Sequence, residues 1–342
     1  MITEGSIEVI GEEKDIPSKK MHVFYNRDMR VNREISLLLA HQKRKEFDYW
    51  YYPLSGTGIR PLRTVKEANI DTTVVVNDKR PSFPKEFSKA RKHNNVEDVF
   101  NVFCEDARQL SYKIKSFDFA DLDPYGSPNI FLDSLLQKLR HKGRVCITAT
   151  DTAPLCGTYP STCKRKYWAK PKHGMMMKEI GLRILIRKCQ LVAAQHEKAL
   201  LPILCYAGKH YFKVCFDCLK SKTTAKNLLE NHGMFRGAGP LWLGPTIDQD
   251  VVSKLELLPG ISEETRSHVE LLREEASVDT VGFFDVHKLA KKYGIGDIPT
   301  MSYVVQKVGE EGVCTRTHYS PTGIKTVVSE ERVAELLKRS TN

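Results

Sequence analysis

Through its first 150 residues the chain alternates short apolar runs with longer segments whose apolar residues recur at helical spacing. "FDYWYYPL" leads into "SGTGIRPLRTVKEAN", and "TTVVVND" into "FPKEFSKARKHNN". "VFNVFCEDARQL" is followed by "FDFADLDPYGSP", the helical "NIFLDSLLQKLRHKG" and then "GRVCITATD". Unbroken apolar runs of this length suit strands buried on both faces, so the alternation predicts a parallel sheet covered by helices on either side. The helix after "DPYG" has limits written in its residues: Ser127 as its cap, Pro128 in its first turn and Gly143 as its stop. Phe131, Leu135 and Leu139 then share one face at intervals of four. Asp123 is thereby placed at the C-terminal edge of the preceding strand.

A longer helix is expected over 178–196, with Leu182, Leu185, Ile186, Cys189 and Ala193 inward and Arg187 and Lys188 towards solvent. "LLPILCYAGKHYFKVCFDCL" reads as two strands joined near Gly208, a hairpin that brings an antiparallel strand to the sheet edge. "LGPTIDQD" and "LLPGISEE" mark a boundary near residue 250. Beyond it, Asp285 is expected to cap a helix ending at Gly294, and a second helix should span about 300–308. "VCTRTHYSPTGIKTVV" reads as a hairpin turning at Ser320-Pro321-Thr322-Gly323. The expected fold is α/β: a Rossmann-like, mostly parallel sheet with an antiparallel edge hairpin over 1–250, then a smaller α+β domain of winged-helix pattern over 251–342.

Composition leaves this picture in place, at 41% apolar and 28% charged residues. No run is long and apolar enough for a membrane span, and the first residues carry acids where a signal peptide has a basic region, so a cytoplasmic location is expected. The nine cysteines fall mostly in apolar runs and read as reduced thiols. Cys215 and Cys218 have no second pair to complete a zinc site, and no metal is expected. Charge does change the picture. Residues 161–226 hold fifteen Lys and Arg against three acids, whereas 251–342 hold twelve against fourteen. Such clustering suits a polyanionic partner, although a solvated lysine-rich helix face would look the same.

Ligands of an open α/β sheet bind beyond the carboxyl ends of its strands. Four candidates fall there. Ser55-Gly56-Thr57-Gly58 would let a backbone turn approach a ligand at a helix N-terminus, or simply make a tight connection. Asp78 follows Gly58 by twenty residues, the spacing at which a carboxylate accepts from ribose hydroxyls. Asp106-Ala107 could hold an adenine ring, or cap a helix. Asp123-Pro124-Tyr125-Gly126 combines an acceptor, a carbonyl-bearing turn without an N–H, a stacking ring and a residue that leaves room. If the ligand carries a sulfonium methyl, that set suits an exocyclic amine on a nucleobase, whose delocalised lone pair needs orienting before it attacks; a buried Asp-Pro turn without chemistry is the plain alternative.

The runs "VFYNRDMRVNREI", "SGTGIRPLR", "VNDK", "DLDPYGSP", "ITATDTAPLCGTYP", "GPLWLGP" and "RTHYSPTGIKT" resemble the tRNA guanine-26 N2-dimethyltransferases of archaeal size, in order, from about Gly5 onward. The resemblance implies a class I methyltransferase domain, S-adenosyl-L-methionine as methyl donor and tRNA as partner. It makes Arg33, Arg60, Asp78, Asp106 and Ala107 the cofactor contacts, Asp123 the catalytic carboxylate, and Phe24, Pro124 and Tyr125 the surroundings of the base. Three departures stand out. Tyr125 replaces a usual Phe, "NRDM" replaces Asn-Pro-Arg-Met, and the cysteine pairs that hold zinc in some members are missing.

The expected activity is transfer of one or two methyl groups to N2 of guanine-26, by a monomer, with the basic stretch from Lys164 to Lys226 and a loop bearing Arg316 and His318 on the phosphates. The alternatives are an amino-methyltransferase acting on another base, and an RNA-binding protein without activity. Asp78 and Asp123 speak against the latter.

Overall fold

The computed structural model describes residues 1–9 and 25–339. A short antiparallel ribbon, β1 (Ile2–Glu4) and β2 (Ile7–Val9), precedes a single 3-10 turn and α1 (Arg30–Lys43). Seven strands then build the main sheet: β3 (Tyr49–Tyr52), β4 (Thr73–Asn77), β5 (Phe100–Phe103), β6 (Phe117–Leu122), β7 (Leu139–Ala149), β8 (Lys198–Ala207) and β9 (Phe212–Lys220). Their spatial order is β5-β4-β3-β6-β7-β9-β8. Strands β3 to β7 pair in parallel, and β9 lies antiparallel to both neighbours. The expected hairpin thus stands at the edge, with its antiparallel member the inner of the two. Strand order reverses between β3 and β6, which opens a crevice beyond their carboxyl ends.

Both faces of the sheet are covered. Along β3, Trp50 and Tyr52 enter one core and Tyr51 the other, the period of two that a strand imposes. The first core packs under α1, α2 (Ile59–Ala68) and α3 (Phe83–His93). The second packs under α4 (Ala107–Lys113), α5 (Asn129–Lys138), α6 (Thr152–Leu155), α7 (Pro160–Tyr167) and α8 (Met177–Ala194). After α9 (Lys222–Leu229) come a hairpin of β10 (His232–Phe235) and β11 (Ala238–Trp242), then α10 (Gln249–Ser253) and α11 (Glu263–Glu275). Val269 and Leu272 of α11 belong to the same core as α1.

The remainder runs β12 (Phe284–Asp285), α12 (Val286–Tyr293), α13 (Met301–Gly309), β13 (Cys314–Thr317), β14 (Ser320–Thr326) and α14 (Glu330–Arg339). Its sheet, β12-β14-β13, and its own core from Val286 to Leu337 follow the winged-helix pattern. Asp285 caps α12 by accepting from the Lys288 N–H at 3.1 Å, and Gly294 ends it with φ 65.

Four local expectations differ from the structure. Helix α5 stops at Lys138, and Leu139 already pairs with Phe117 in β7. Gly143 serves the sheet instead, because a Cβ there would lie 2.7 Å from the Asp118 carbonyl oxygen. Lys188 is buried, since α8 is covered around most of its circumference. The C-terminal hairpin turns at His318-Tyr319, where Thr317 pairs with Ser320, so Ser320 to Gly323 lie within β14. Tyr319 stacks on Phe283 with centroids 5.8 Å apart, and this contact draws the turn inward. Cys215 and Cys218 are both buried on β9, three residues apart and so on opposite faces.

Candidate active site

The turn after β3 needs its glycines. Gly56 and Gly58 have φ of 56 and 80, and a Cβ on Gly58 would stand 2.5 Å from the ring of Phe87. Asp78 accepts from the Gly56 N–H at 3.0 Å, which joins the end of β4 to this turn. Its other oxygen accepts from Arg80, both backbone (3.0 Å) and side chain (3.2 Å). One position earlier, Asn77 donates to Pro53 O and Glu105 O and accepts from the Glu105 N–H. Three strand ends are thereby held in register by a single buried amide.

At the end of β6, Asp123 is partly exposed and its Oδ2 accepts from Arg60 Nη2, while among the described residues none donates to Oδ1. Arg60 enters from the first turn of α2 and is itself buried. Its Nη1 donates to Asp121 Oδ2 at 2.7 Å and to Asn32 Oδ1 at 3.1 Å. Lys213 of β9 donates to the other oxygen of Asp121, also at 2.7 Å. Burial disfavours all three charges, yet Asp121 titrates below the usual carboxylate range, because the two cations outweigh it. Arg60 and Lys213 are correspondingly held above their ordinary values against the same burial.

The loop after Asp123 is equally fixed. The Gly126 N–H donates to Thr150 Oγ1 at 2.7 Å, and the Thr150 N–H returns to Gly126 O at 3.0 Å. Pro124 is buried, whereas Tyr125 is 59% exposed. Gly126 has φ 101, and a Cβ there would meet nothing within 4 Å beyond its chain neighbours, so the backbone of the loop is uncrowded at this residue.

A cavity of about 450 Å³ unites much of this set. Arg33, Arg60, Asp123, Pro124 and Tyr125 line it together with the glycine turn, and its size falls among small-molecule sites. Arg33 reaches it with its guanidinium bound to Glu4 and to Asn26 O. Burial opposes the Glu4 charge, but Arg33, Arg63 and the Tyr25 hydroxyl bring its pKa down to about 2. Asp78, Asp106 and Ala107 continue the same sheet edge beyond the lining. Asp106 caps α4 through the Arg108 N–H at 2.9 Å, and Arg108 brings its carboxyl down to about 2. Phe24 lies outside the described residues.

The sequence reading missed Asn32, Asp121, Thr150, His210, Tyr211 and Lys213. Asp121 and Lys213 had a signal, each being a charge inside an apolar strand. His210 and Tyr211 line the cavity from the β8–β9 turn, which lies at this edge because β8 runs parallel to β7.

The basic stretch divides. Lys164, Arg165, Lys170 and Lys172 are exposed, while Arg183, Lys188, Lys198 and Lys213 are buried and serve internal contacts. His318 is no phosphate contact either: its buried ring meets Glu275 at 2.7 Å and accepts from the Ala207 N–H at 3.2 Å. Arg316 is exposed. Among the described residues no group of His, Cys, Asp or Glu is placed to hold a metal ion, and no helix is long and apolar enough to cross a membrane.

A seven-stranded sheet in this order, with a glycine turn and acidic strand ends at its switch point, is the fold of a class I methyltransferase. The family model described as N2,N2-dimethylguanosine tRNA methyltransferase matches residues 4–237 and 232–338, and the chain belongs to that family. A relative from Methanococcus maripaludis, named tRNA (guanine(26)-N(2))-dimethyltransferase, is 34% identical over 95% of this chain and 94% of its own. One of the same name from Methanocaldococcus jannaschii is 32% identical over 100% and 99%. A relative from Aquifex aeolicus, whose name adds guanine(27), is 32% identical over 99% and 95%. Trm1 from Pyrococcus horikoshii, solved with S-adenosyl-L-methionine, superposes with a TM-score of 0.86 at 29% identity over 99% of both chains. The family and fold expected from the motifs are borne out.

Proposed function

We infer that this chain is an S-adenosyl-L-methionine-dependent tRNA (guanine-26-N2)-dimethyltransferase. The observation that carries the reading is the meeting of Asp123, Pro124, Tyr125, Arg60, Arg33 and the glycine turn around one cavity at the switch point. Residues at this edge fit the cofactor. Gly56 lies in the cavity wall, where its backbone can be approached, and Asp78 stands one hydrogen bond from that turn, where ribose hydroxyls would donate. Asp106 and Ala107 would hold the adenine, and Arg33 and Arg60 lie where the methionine portion would end. When bound, the cofactor supplies an electrophilic methyl group on a sulfonium.

The remaining work falls to the chain. Asp123 Oδ1 accepts one N–H of the guanine amine and the Pro124 carbonyl the other, which orients the nitrogen for in-line attack. Asp123 then receives or relays the released proton, and its bond to Arg60 keeps the carboxylate available for this. Tyr125 stacks on the base, with Phe24 as its counterpart. Guanine-26 is stacked inside folded tRNA, so it must flip out to reach the cavity.

Residues 1–250 carry methyl transfer and 251–342 help hold tRNA, in a monomer working in the cytoplasm. Digesting tRNA treated with the purified protein and analysing its nucleosides by mass spectrometry tests the reading. N2,N2-dimethylguanosine at position 26 is expected; a methylated adenosine or cytidine, or no methylation, would refute it.

A further inference from the structure

Trp168 ends α7 in the left-handed conformation, φ 57 and ψ 36. Glycine is the usual occupant of such a position because a side chain there is strained. The indole nevertheless remains 47% exposed. One of its faces is covered, with Lys188 Nζ 2.9 Å from the ring centroid, so the exposure belongs to the opposite face and the edges. Burial brings Lys188 down to about 8, which leaves it a cation beneath the ring at neutral pH.

The backbone of this residue is held on both sides. Its N–H donates to Lys164 O at 3.1 Å, and its carbonyl accepts from Arg187 Nη1 at 3.3 Å. A surface tryptophan so fixed is a flat plate with little rotational freedom left to lose. The plate is also tied to the catalytic loop. The neighbouring Tyr167 hydroxyl lies 2.9 Å from Ser127 Oγ and donates to Asp151 at 2.6 Å, and Asn129 donates to Lys166 O at 2.9 Å.

Along the chain on either side of Trp168, charge has one sign. Between Asp151 and Glu179 the chain has no carboxylate, and Lys164, Arg165, Lys170 and Lys172 are exposed within four residues of Trp168. Lys172 donates to Arg236 O at 2.8 Å, which sets the β10–β11 hairpin and its exposed Arg236 alongside. A protein interface would extend apolar area around such a ring. A single aromatic plate among cations instead matches the stacking platforms and phosphate grooves of single-stranded nucleic-acid sites.

We propose that Trp168 is a stacking platform for an unpaired nucleobase of the tRNA substrate, with Lys164, Arg165, Lys170 and Lys172 on the flanking phosphates. This rests on tRNA being the substrate, and names where part of it is gripped outside the catalytic cavity. Trp50 and Trp242 are 0% and 5% exposed, so intrinsic fluorescence reports on Trp168 when tRNA is added. Saturating tRNA should quench the wild-type chain, and W168F should abolish that quench. W168A should raise the KM for tRNA roughly ten-fold, the scale of one lost base–aromatic stack, with the effect on KM and not on kcat. W168F should recover most of it. Calorimetric S-adenosyl-L-methionine binding, unchanged in both variants, reports an intact fold; should W168A lose it, the wild-type quench and W168F decide. Absence of quenching in the wild type, a wild-type KM in W168A, or a W168F as impaired as W168A would each overturn the proposal. Failure of the broader reading looks different: the wild type would then leave no N2-methylated guanosine.

Discussion

The guanidinium of Arg60 binds the carboxylate of Asp123 at the catalytic cavity while its other arm binds the buried Asp121. Asp123 is thus the outermost member of a charge chain that begins at Lys213 on β9, three strands across the sheet from β3, which leads into the helix that carries Arg60. Arg60→Lys keeps the charge but cannot span two carboxylates as a planar fork does. We expect R60K to fold and to lose more than ten-fold in single-turnover methylation. R60Q leaves Asp121 with Lys213 alone and should lower stability by roughly 3–5 kcal/mol, the scale of a broken buried pair, as chemical denaturation would read. An R60K that methylates at the wild-type rate would remove Arg60 from the mechanism.

Asp123→Ala removes the acceptor for the guanine amine without opening the core, because the side chain is partly exposed. Methyl transfer should fall by about 10²–10⁴-fold, the range of a lost general base, while tRNA affinity stays near wild type. Filter binding with labelled tRNA beside a methylation assay separates the two. Comparable turnover in D123A would sink the assignment.

Much of this site can be read from single strand ends. Gly58, Asp78, Asp106 and Asp123 each close an apolar run, and the strand that precedes each points to the same edge. Asp121 and Lys213 are individually visible as charges in apolar strands, but their pairing needs β9 to insert beside β7, a placement that local pattern does not specify. Lys188 misleads because helical periodicity assumes one covered face, and α8 is packed nearly all round. His318 misleads for another reason. Ser-Pro-Thr-Gly has turn composition, yet Ser320 and Thr322 donate to Asp285 from within β14, and the turn moves three residues earlier into the core.

Tyr125 offers a test of stacking at low risk to the fold, since it is 59% exposed. Tyr125→Phe preserves the ring and should leave kcat/KM within a few-fold of wild type. Tyr125→Ala should lower it by about ten-fold or more, as base–aromatic stacking is worth about 1–3 kcal/mol. If the phenylalanine variant falls as far as the alanine one, the hydroxyl and not the ring is at work.

Acid should loosen the joint between α11 and the C-terminal hairpin. Burial, with His318 adding to it, depresses His268 to about 3, against a smaller opposing pull from Glu275. Its Nε2 is buried without a hydrogen-bond partner among the described residues, so the folded site has no place for a second proton. Below about pH 6.5 the unfolded chain takes up a proton that the folded chain refuses, and stability therefore falls as pH drops from 6.5 towards 3. Burial opposes the charge on Glu275, but His318 and Lys325 bring it down to about 2, and its stabilisation is lost only as pH falls from about 4.5 towards that value. Between pH 7.5 and 5 Glu275 thus adds little, and His268 contributes roughly 1–2 kcal/mol, alongside His232, which burial and Arg187 bring down to about 4 and which H268L leaves in place. Thermal unfolding of the wild type should show a lower Tm at pH 5, and H268L, which cannot titrate, should narrow the difference. Parallel pH slopes for the two proteins would place the sensitivity elsewhere.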